Sequence, residues 1–195
     1  MNTKNIFITI VLLAIFSSVS ILALLEAKKI IGGHANAADA PDFFMTNTTY
    51  VQFDQNGNIS NQFYTSKIIH FTTNNNYTFD NPCMKMYSAN EQPWNITANK
   101  GRSEGGKDKV YLWDNVKVTQ AASTETTDFD ITTTSLTVYP STKFAETSDS
   151  VVIIQGESIA KAVGAKADFK SGTVSLLSNV ECEYKEATTS PKTHP

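Results

Sequence analysis

Apolar and polar residues alternate along "VYLWDNVKV", Val110 to Val118, and the pattern returns 64 residues later as "VSLLSNVEC", Val174 to Cys182. Successive side chains of an extended strand point to opposite faces. The first copy therefore sets Val110, Leu112, Val116 and Val118 against Tyr111, Asn115, Lys117 and Thr119. The second sets Val174, Leu176, Val180, Cys182 and Tyr184 against Ser175, Asn179, Glu181 and Glu183. A strand that is dry on one side and wet on the other must lie over a core that it shares with others. Trp113 and Leu177 hold matching outward positions and are expected to cover a neighbouring strand or a partner. Each copy follows a strand carrying alanines, "ITANKG" or "AKADFK", and a turn. The repeating unit is thus a hairpin, and a hairpin is marginal alone, so such units must stack.

The rest of the chain fits the same reading. Strand-like segments follow one another as "TYVQFD", "YTSKIIHFTT", "CMKMYS", "WNITANKG", "KVYLWDNVKV", "DFDITTTSLTVYP", "SVVIIQG", "AKADFK" and "TVSLLSNVECEY". Turn formers divide them, among them "QNGN", "NNN", "EQP", "SEGGKD", "YPST" and "KSG". Thr favours strands and Asn favours turns, and both are abundant here. Only "AETSDS" and "ESIAKAVGAK" are ambiguous between helix and strand. Nine evenly spaced strands predict an all-β, antiparallel sandwich, barrel or jelly-roll-like stack.

One stretch cannot belong to that stack. "IFITIVLLAIFSSVSILALL", Ile6 to Leu25, is free of charge for its whole length, about 30 Å as a helix and enough to span a bilayer. The rival is a cleaved signal peptide, with a small-x-small site ending at Ala37. The apolar run exceeds the usual length of such a peptide, and "EAKK" separates it from that site, which favours an uncleaved anchor. Lys4 on one side and Lys28 and Lys29, offset by Glu26, on the other leave almost no positive-inside bias. A five-residue leader is easily retained in the cytoplasm, which places the remainder outside it. The expected organisation is a leader at 1–5, a transmembrane helix at 6–25, a linker at 26–46, a β domain at 47–185 and a tail at 186–195.

The net charge of -3 supplies no positive field for nucleic acid. No P-loop and no G-x-S-x-G occurs, so ATP hydrolysis must come from a partner. His34, His70 and His194 lack ligand-like spacing, and neither a metal nor a cofactor is implied. Asp128 and Asp130 share a strand face, but nothing around them suggests the paired carboxylates of a glycosidase. Four N-x-[ST] sequences, at Asn47, Asn58, Asn76 and Asn95, are what a chain rich in Asn and Thr produces by chance. Cys83 and Cys182 could form one disulfide in an oxidising compartment or remain two buried thiols.

The succession of an N-terminal anchor, "PWNITANKG", "VYLWDNVKV", "ITTTSLTVYP", "AETSDSVVIIQG" and a terminal "VSLLSNVECEY" resembles the LptC family of lipopolysaccharide export. The likeness runs from the anchor to about Tyr184 and is weakest between Ile30 and Asn47. Its specificity lies in the order and lengths of these segments rather than in any one motif. It implies a β-jelly-roll, a folded-over pair of antiparallel sheets, and a non-enzymatic subunit of the inner membrane with one span and a periplasmic domain. It implies contact with LptF and LptG of an ABC transporter whose ATPase is LptB, and with the bridge protein LptA through the C-terminal edge strand. Lipopolysaccharide acyl chains would enter an apolar interior. By parity and matching segments, that interior is expected to present Phe79, Met84, Met86, Ile96, Ala98, Leu112, Val116, Leu136, Val138, Val174, Leu176 and Val180, with Thr48 near the membrane-side mouth. Gly156 matches a family glycine associated with function, and Tyr184 suits the interface with LptA. Two rival readings stand beside it: a cleaved soluble bridge of the LptA type, which has the same fold, and an anchored β-sandwich scaffold with a solid core and no lipid.

Overall fold

The computed structural model describes residues 40–88, 92–106, 108–123 and 127–184. The expected leader, the membrane span, positions 26–39 of the linker and the tail lie outside the described residues. Among the described residues no helix is long and apolar enough to cross a membrane.

Eleven strands follow from Pro41 onward: β1 (Phe43–Phe53), β2 (Ile59–Phe71), β3 (Asn76–Asp80), β4 (Cys83–Met86), β5 (Trp94–Thr97), β6 (Lys100–Glu104), β7 (Val110–Gln120), β8 (Phe129–Tyr139), β9 (Phe144–Gln155), β10 (Ser158–Asp168) and β11 (Thr173–Glu183). All pairings are antiparallel, in the order β11-β10-β9-β8-β7-β5-β4-β2-β3-β6, with β1 on β2 and β6 also on β7. The apparent fork has a simple cause. β3 and β4 lie end to end along β2, the one opposite Lys67 to Phe71 and the other opposite Asn61 to Tyr64. β6 and β5 lie end to end along β7 in the same way, opposite Val110–Trp113 and Lys117–Gln120. The sheet is therefore one meander of long strands, nearly all interrupted halfway.

The interruptions fall on one line across the sheet. Left-handed backbone occurs at Asn47 in β1, Asn81 between β3 and β4, Asp114 and Asn115 in β7, Gly164 in β10 and Asn179 in β11. The register slips between Trp113 and Val116, between Thr133 and Thr137, and between Val163 and Ala165. Such residues insert bulges that bend a strand. Aligned on neighbouring strands, they crease the sheet. Backbone bonds carry the crease from strand to strand: Asn81 N–H donates to the Asn99 carbonyl and Asn99 N–H to the Asp114 carbonyl, both at 2.8 Å. Between β8 and β9 a side chain takes over, with the Asp149 carboxylate accepting from the Thr134 and Ser135 hydroxyls at 2.5 and 2.7 Å.

Creasing brings the two halves of the sheet face to face. One layer holds β3, β6 and the 110–113 portion of β7; the other holds β4, β5 and the 116–120 portion. Phe63 meets Phe79 edge to face across the gap at 5.0 Å, and Trp94 meets Phe169 at 5.3 Å. Ser88 Oγ donates to the Phe169 carbonyl at 3.0 Å, and Lys143 Nζ reaches the Tyr87 carbonyl. Met86, Ile96, Leu112, Val116, Val118, Val138 and Val151 fill the middle and are almost wholly buried.

The sequence expectation of an all-β antiparallel domain holds, with differences in detail. β3 is not among the nine expected segments, because "NYTFD" is only five residues between turn formers. "WNITANKG" is two strands, parted where the crease crosses Ala98 and Asn99. The two ambiguous stretches are strand: β9 starts at Phe144 and β10 runs the length of "SIAKAVGAKAD". There Ala160, Ala162, Ala165 and Ala167 face inward, and Gly164 resets the alternation. β1 begins at Phe43, inside the expected linker. Cys83 and Cys182 do not form a disulfide: both are free, because β4 and β11 are separated in the sheet by β5, β7, β8, β9 and β10.

Candidate functional site

The core is solid over most of its length and opens beneath β1 and β2. There a groove of about 450 Å³ runs between the layers. Met45, Ile68, Tyr77 and Phe79 wall it from one layer, and Thr48, Tyr50, Phe63 and Met84 from the other. The parity of the strands dictates this lining. Phe79 and Ile68 are cross-strand partners, as are Phe63 and Met84, so each pair projects on the same side. β1 has β2 on one side only, which leaves the groove at an unclosed margin of the sheet.

The groove also has polar lining residues, of which Gln52 is half-buried, Asp108 and Ser141 are exposed, and Asn61, Thr65 and Ser103 are buried. Asn61 is 6% exposed and Ser103 3%. Asn61 Nδ2 donates to Gln52 Oε1 at 3.2 Å and to the Pro140 carbonyl at 3.4 Å. Asn61 Oδ1 and Ser103 Oγ have no partner. Thr65, wholly buried at the crease of β2, lies 2.7 Å from the Asp80 carbonyl and 2.8 Å from that of Lys67.

A clasp holds β1 against the turn that follows β2. His70 Nδ1 lies 2.7 Å from Asp42 Oδ1 and Nε2 lies 3.0 Å from Asn75 Oδ1. The ring stacks on Phe43 at 4.9 Å and tilts against Tyr77, a groove residue, at 4.5 Å, and Phe43 and Tyr77 also meet edge to face at 6.4 Å. The hydrogen bond to Asn75 and then the Asp42 carboxylate raise the His70 pKa above its ordinary value. Hydrogen bonds from Thr72 and then His70 lower that of Asp42.

Thr48, Phe79 and Met84 thus stand in the groove wall. Met86, Ile96, Ala98, Leu112, Val116, Leu136 and Val138 are buried in the closed core, and Val174 and Leu176 are half-buried against its far end. Val180 faces the inner side of β11 but is 50% exposed, because no strand lies beyond β11. Gly156 opens the two-residue turn joining β9 to β10, where φ is +57° and a side chain would approach Thr127. Tyr184 is 77% exposed just past β11. Sequence reasoning missed Met45, Tyr50, Phe63, Ile68, Tyr77, Asn61 and Ser103. Phe63 and Ile68 are five residues apart, so strict alternation in "FYTSKIIHF" sets them on opposite faces and hides their common one, whereas Met45 fell in the expected linker.

A second crevice, of about 710 Å³, follows the crease on the outer face. Tyr111 and Trp113 stack there at 5.5 Å, with the Arg102 guanidinium 5.3 Å from the Tyr111 ring. Asp149 faces the same crevice, and the Thr134 and Ser135 hydroxyls hold its pKa below the usual carboxylate value. Trp113 therefore packs on its own strand, while Leu177, its counterpart in the repeat, covers Gly164 of β10. Among the described residues no group of His, Cys, Asp and Glu could hold a metal ion.

The crystal structure of LptH, the LptA homologous periplasmic component of the lipopolysaccharide transport device of Pseudomonas aeruginosa, is similar at a TM-score of 0.48 and 10% identity. The similarity covers 72% of this chain and 96% of that one. No curated protein matches by sequence. The family model described as lipopolysaccharide-assembly, LptC-related, matches residues 10–185. That span takes in all eleven strands, and the chain belongs to the LptC-related family of lipopolysaccharide assembly.

Proposed function

We propose that this chain is an anchored relay subunit, with no chemical step of its own, which receives lipopolysaccharide acyl chains between its two layers. The observation that carries the reading is the apolar groove at the unclosed margin of the sheet. Each exposed methylene costs about 0.8 kcal/mol in water, so one long acyl chain faces a penalty on the order of 10 kcal/mol outside a membrane. A groove walled by Phe63, Ile68, Phe79 and Met84 removes most of it. Residues 6–25 hold the domain to the inner membrane, beside LptF and LptG and their ATPase LptB, with Thr48 at the receiving mouth.

The rest of the path follows from the layers. When they part, Met86, Ile96, Ala98, Leu112, Val116, Leu136 and Val138 come into reach of the chain, and Val174, Leu176 and Val180 lead it to β11. The free edge of β11 then takes a strand of LptA, with Tyr184 and the Gly156 turn beside the junction, since exposed edges are natural sites of strand addition. The test is photo-crosslinking in membranes containing lipopolysaccharide. A photoreactive residue at Phe79 or Thr48 is expected to label the lipid, and one at outward-facing Lys117 to remain unlabelled. Labelling at Lys117 alone would overturn the relay.

A further inference from the structure

We propose that the crevice on the outer face of the crease is a glycan site, which takes neutral pyranose rings against Trp113 and turns anionic sugars away. The groove between the layers plays no part in it. Strand parity puts Tyr111 and Trp113 on the face opposite buried Leu112, so a lipid held among the inward side chains lies on the other side of the sheet. The ligand of the crevice is therefore a free glycan, not the sugar of a lipid in the groove.

A pyranose shows C–H bonds on the faces of its ring and hydroxyls around its rim. The face of an aromatic ring is the negative part of its quadrupole and attracts such C–H groups. Tyr111 stacks on Trp113 with 25° between the rings, and the Arg102 guanidinium lies against Tyr111, a row that steadies the indole while leaving it half-buried at the crevice. The rim hydroxyls need partners already in place. Thr134 and Ser135 both donate to one oxygen of Asp149, Oδ2, which fixes the carboxylate as an acceptor. Left-handed backbone at Asp114 and Asn115 sets two exposed polar side chains on the same crevice, and the Asn115 amide both donates and accepts. Its volume of about 710 Å³ suits a small-molecule site, for which roughly 300–1,000 Å³ is usual. Charge decides which sugar enters. Asp114 and Asp149 bring two carboxylates to the crevice. Arg102, the cation among its lining residues, is paired with Glu104 at 3.4 Å, and Lys100, the cross-strand partner of Trp113, with Asp80 at 2.7 Å. A uronate meets uncompensated like charge there, whereas a hydroxyl or acetamido group meets only hydrogen-bonding partners.

The two tryptophans of the chain make the test optical. Trp94 is 2% exposed inside the core, while Trp113 stands in the crevice, so a ligand there changes the emission of Trp113. Titration of the purified full-length protein with cellopentaose or chitopentaose is expected to shift that emission, and pentagalacturonate to leave it unchanged. Trp113→Phe keeps an aromatic face, so calorimetry should still detect the neutral glycan although the optical change is lost. Asp149→Asn, close in shape, should weaken the neutral glycan roughly tenfold, the worth of one hydrogen bond to a charged group, and narrow the gap to pentagalacturonate. Calorimetric silence with both neutral glycans would overturn the site. So would an optical change that survives Trp113→Phe, or pentagalacturonate binding as tightly as the neutral chains.

Discussion

Asn115 and Asn179 hold the same place in the two copies of the repeat because both adopt left-handed backbone, at φ of 58° and 50°. Asn tolerates that region better than other residues with a side chain, and a β-branched residue tolerates it least. Asn115→Val is therefore expected to cost about 1–2 kcal/mol in urea denaturation, and Asn115→Gly to be close to neutral. Alternation along the strand made the asparagines visible as a repeat but not their cause, since a change of φ leaves no trace in a pattern of polar and apolar residues. The His70 clasp belongs to the same scale. Two acceptors, Asp42 Oδ1 and Asn75 Oδ1, face the two ring nitrogens, an arrangement that only the doubly protonated ring satisfies. With its pKa raised, His70 contributes fully below its unfolded value near 6.5, and that contribution is lost as pH rises through the folded pKa. Asp42, with its pKa lowered, contributes above 3.8 and loses its share as pH falls. The clasp is thus tightest between these limits. The melting temperature should fall from pH 6 to pH 8, and His70→Phe, which keeps the ring stack, should flatten that decline.

At the scale of the strand, β10 shows how one residue can disguise an element. Ala160 and Ala162 alternate with Lys161 and Val163, and Ala165 and Ala167 with Lys166 and Asp168. The step from Ala162 to Ala165 is three residues because Gly164 adds one, and that spacing imitates a helix. The glycine is required twice over. Its φ is +77°, and a Cβ there would lie 2.9 Å from Leu177 Cδ1. Gly164→Ala should destabilise the domain, and adding Leu177→Ala should recover the steric part while leaving the cost of the left-handed backbone, about 1–2 kcal/mol. A double-mutant cycle by chemical denaturation separates the two. β3 and β6 were illegible for a different reason, being only half of a creased rail each. β7 and β8, eleven residues apiece, were long enough to declare their period on both sides of the bend.

At the scale of the molecule, stability depends on what stands between the layers. Phe169 is 1% exposed, packs on Trp94, donates its N–H to the Lys143 carbonyl at 2.9 Å and accepts from Ser88. It joins both layers at the turn between β10 and β11. Phe169→Ala removes a large ring with no neighbour free to replace it, and a loss of about 3–5 kcal/mol is expected, read as a lower denaturation midpoint. Parity identified the inward face of the sheet, yet an inward residue is core or groove wall according to what faces it. Phe79 and Leu112 have the same character in sequence. Phe79 looks across at Phe63 beside an open margin, while Leu112 is covered on all sides. That distinction belongs to the pairing of layers and is absent from any single strand.

The crease has a consequence for whatever joins the sheet. A strand laid along β11 meets a bend at Asn179 and must break its own stride opposite that residue, or forfeit hydrogen bonds on one side of it. The bend therefore acts as a registration mark. A visitor shifted by two residues would keep its parity and still be out of phase. Successive domains joined in phase have their creases collinear, so that their clefts meet mouth to mouth and a hydrocarbon chain passes the junction without a step.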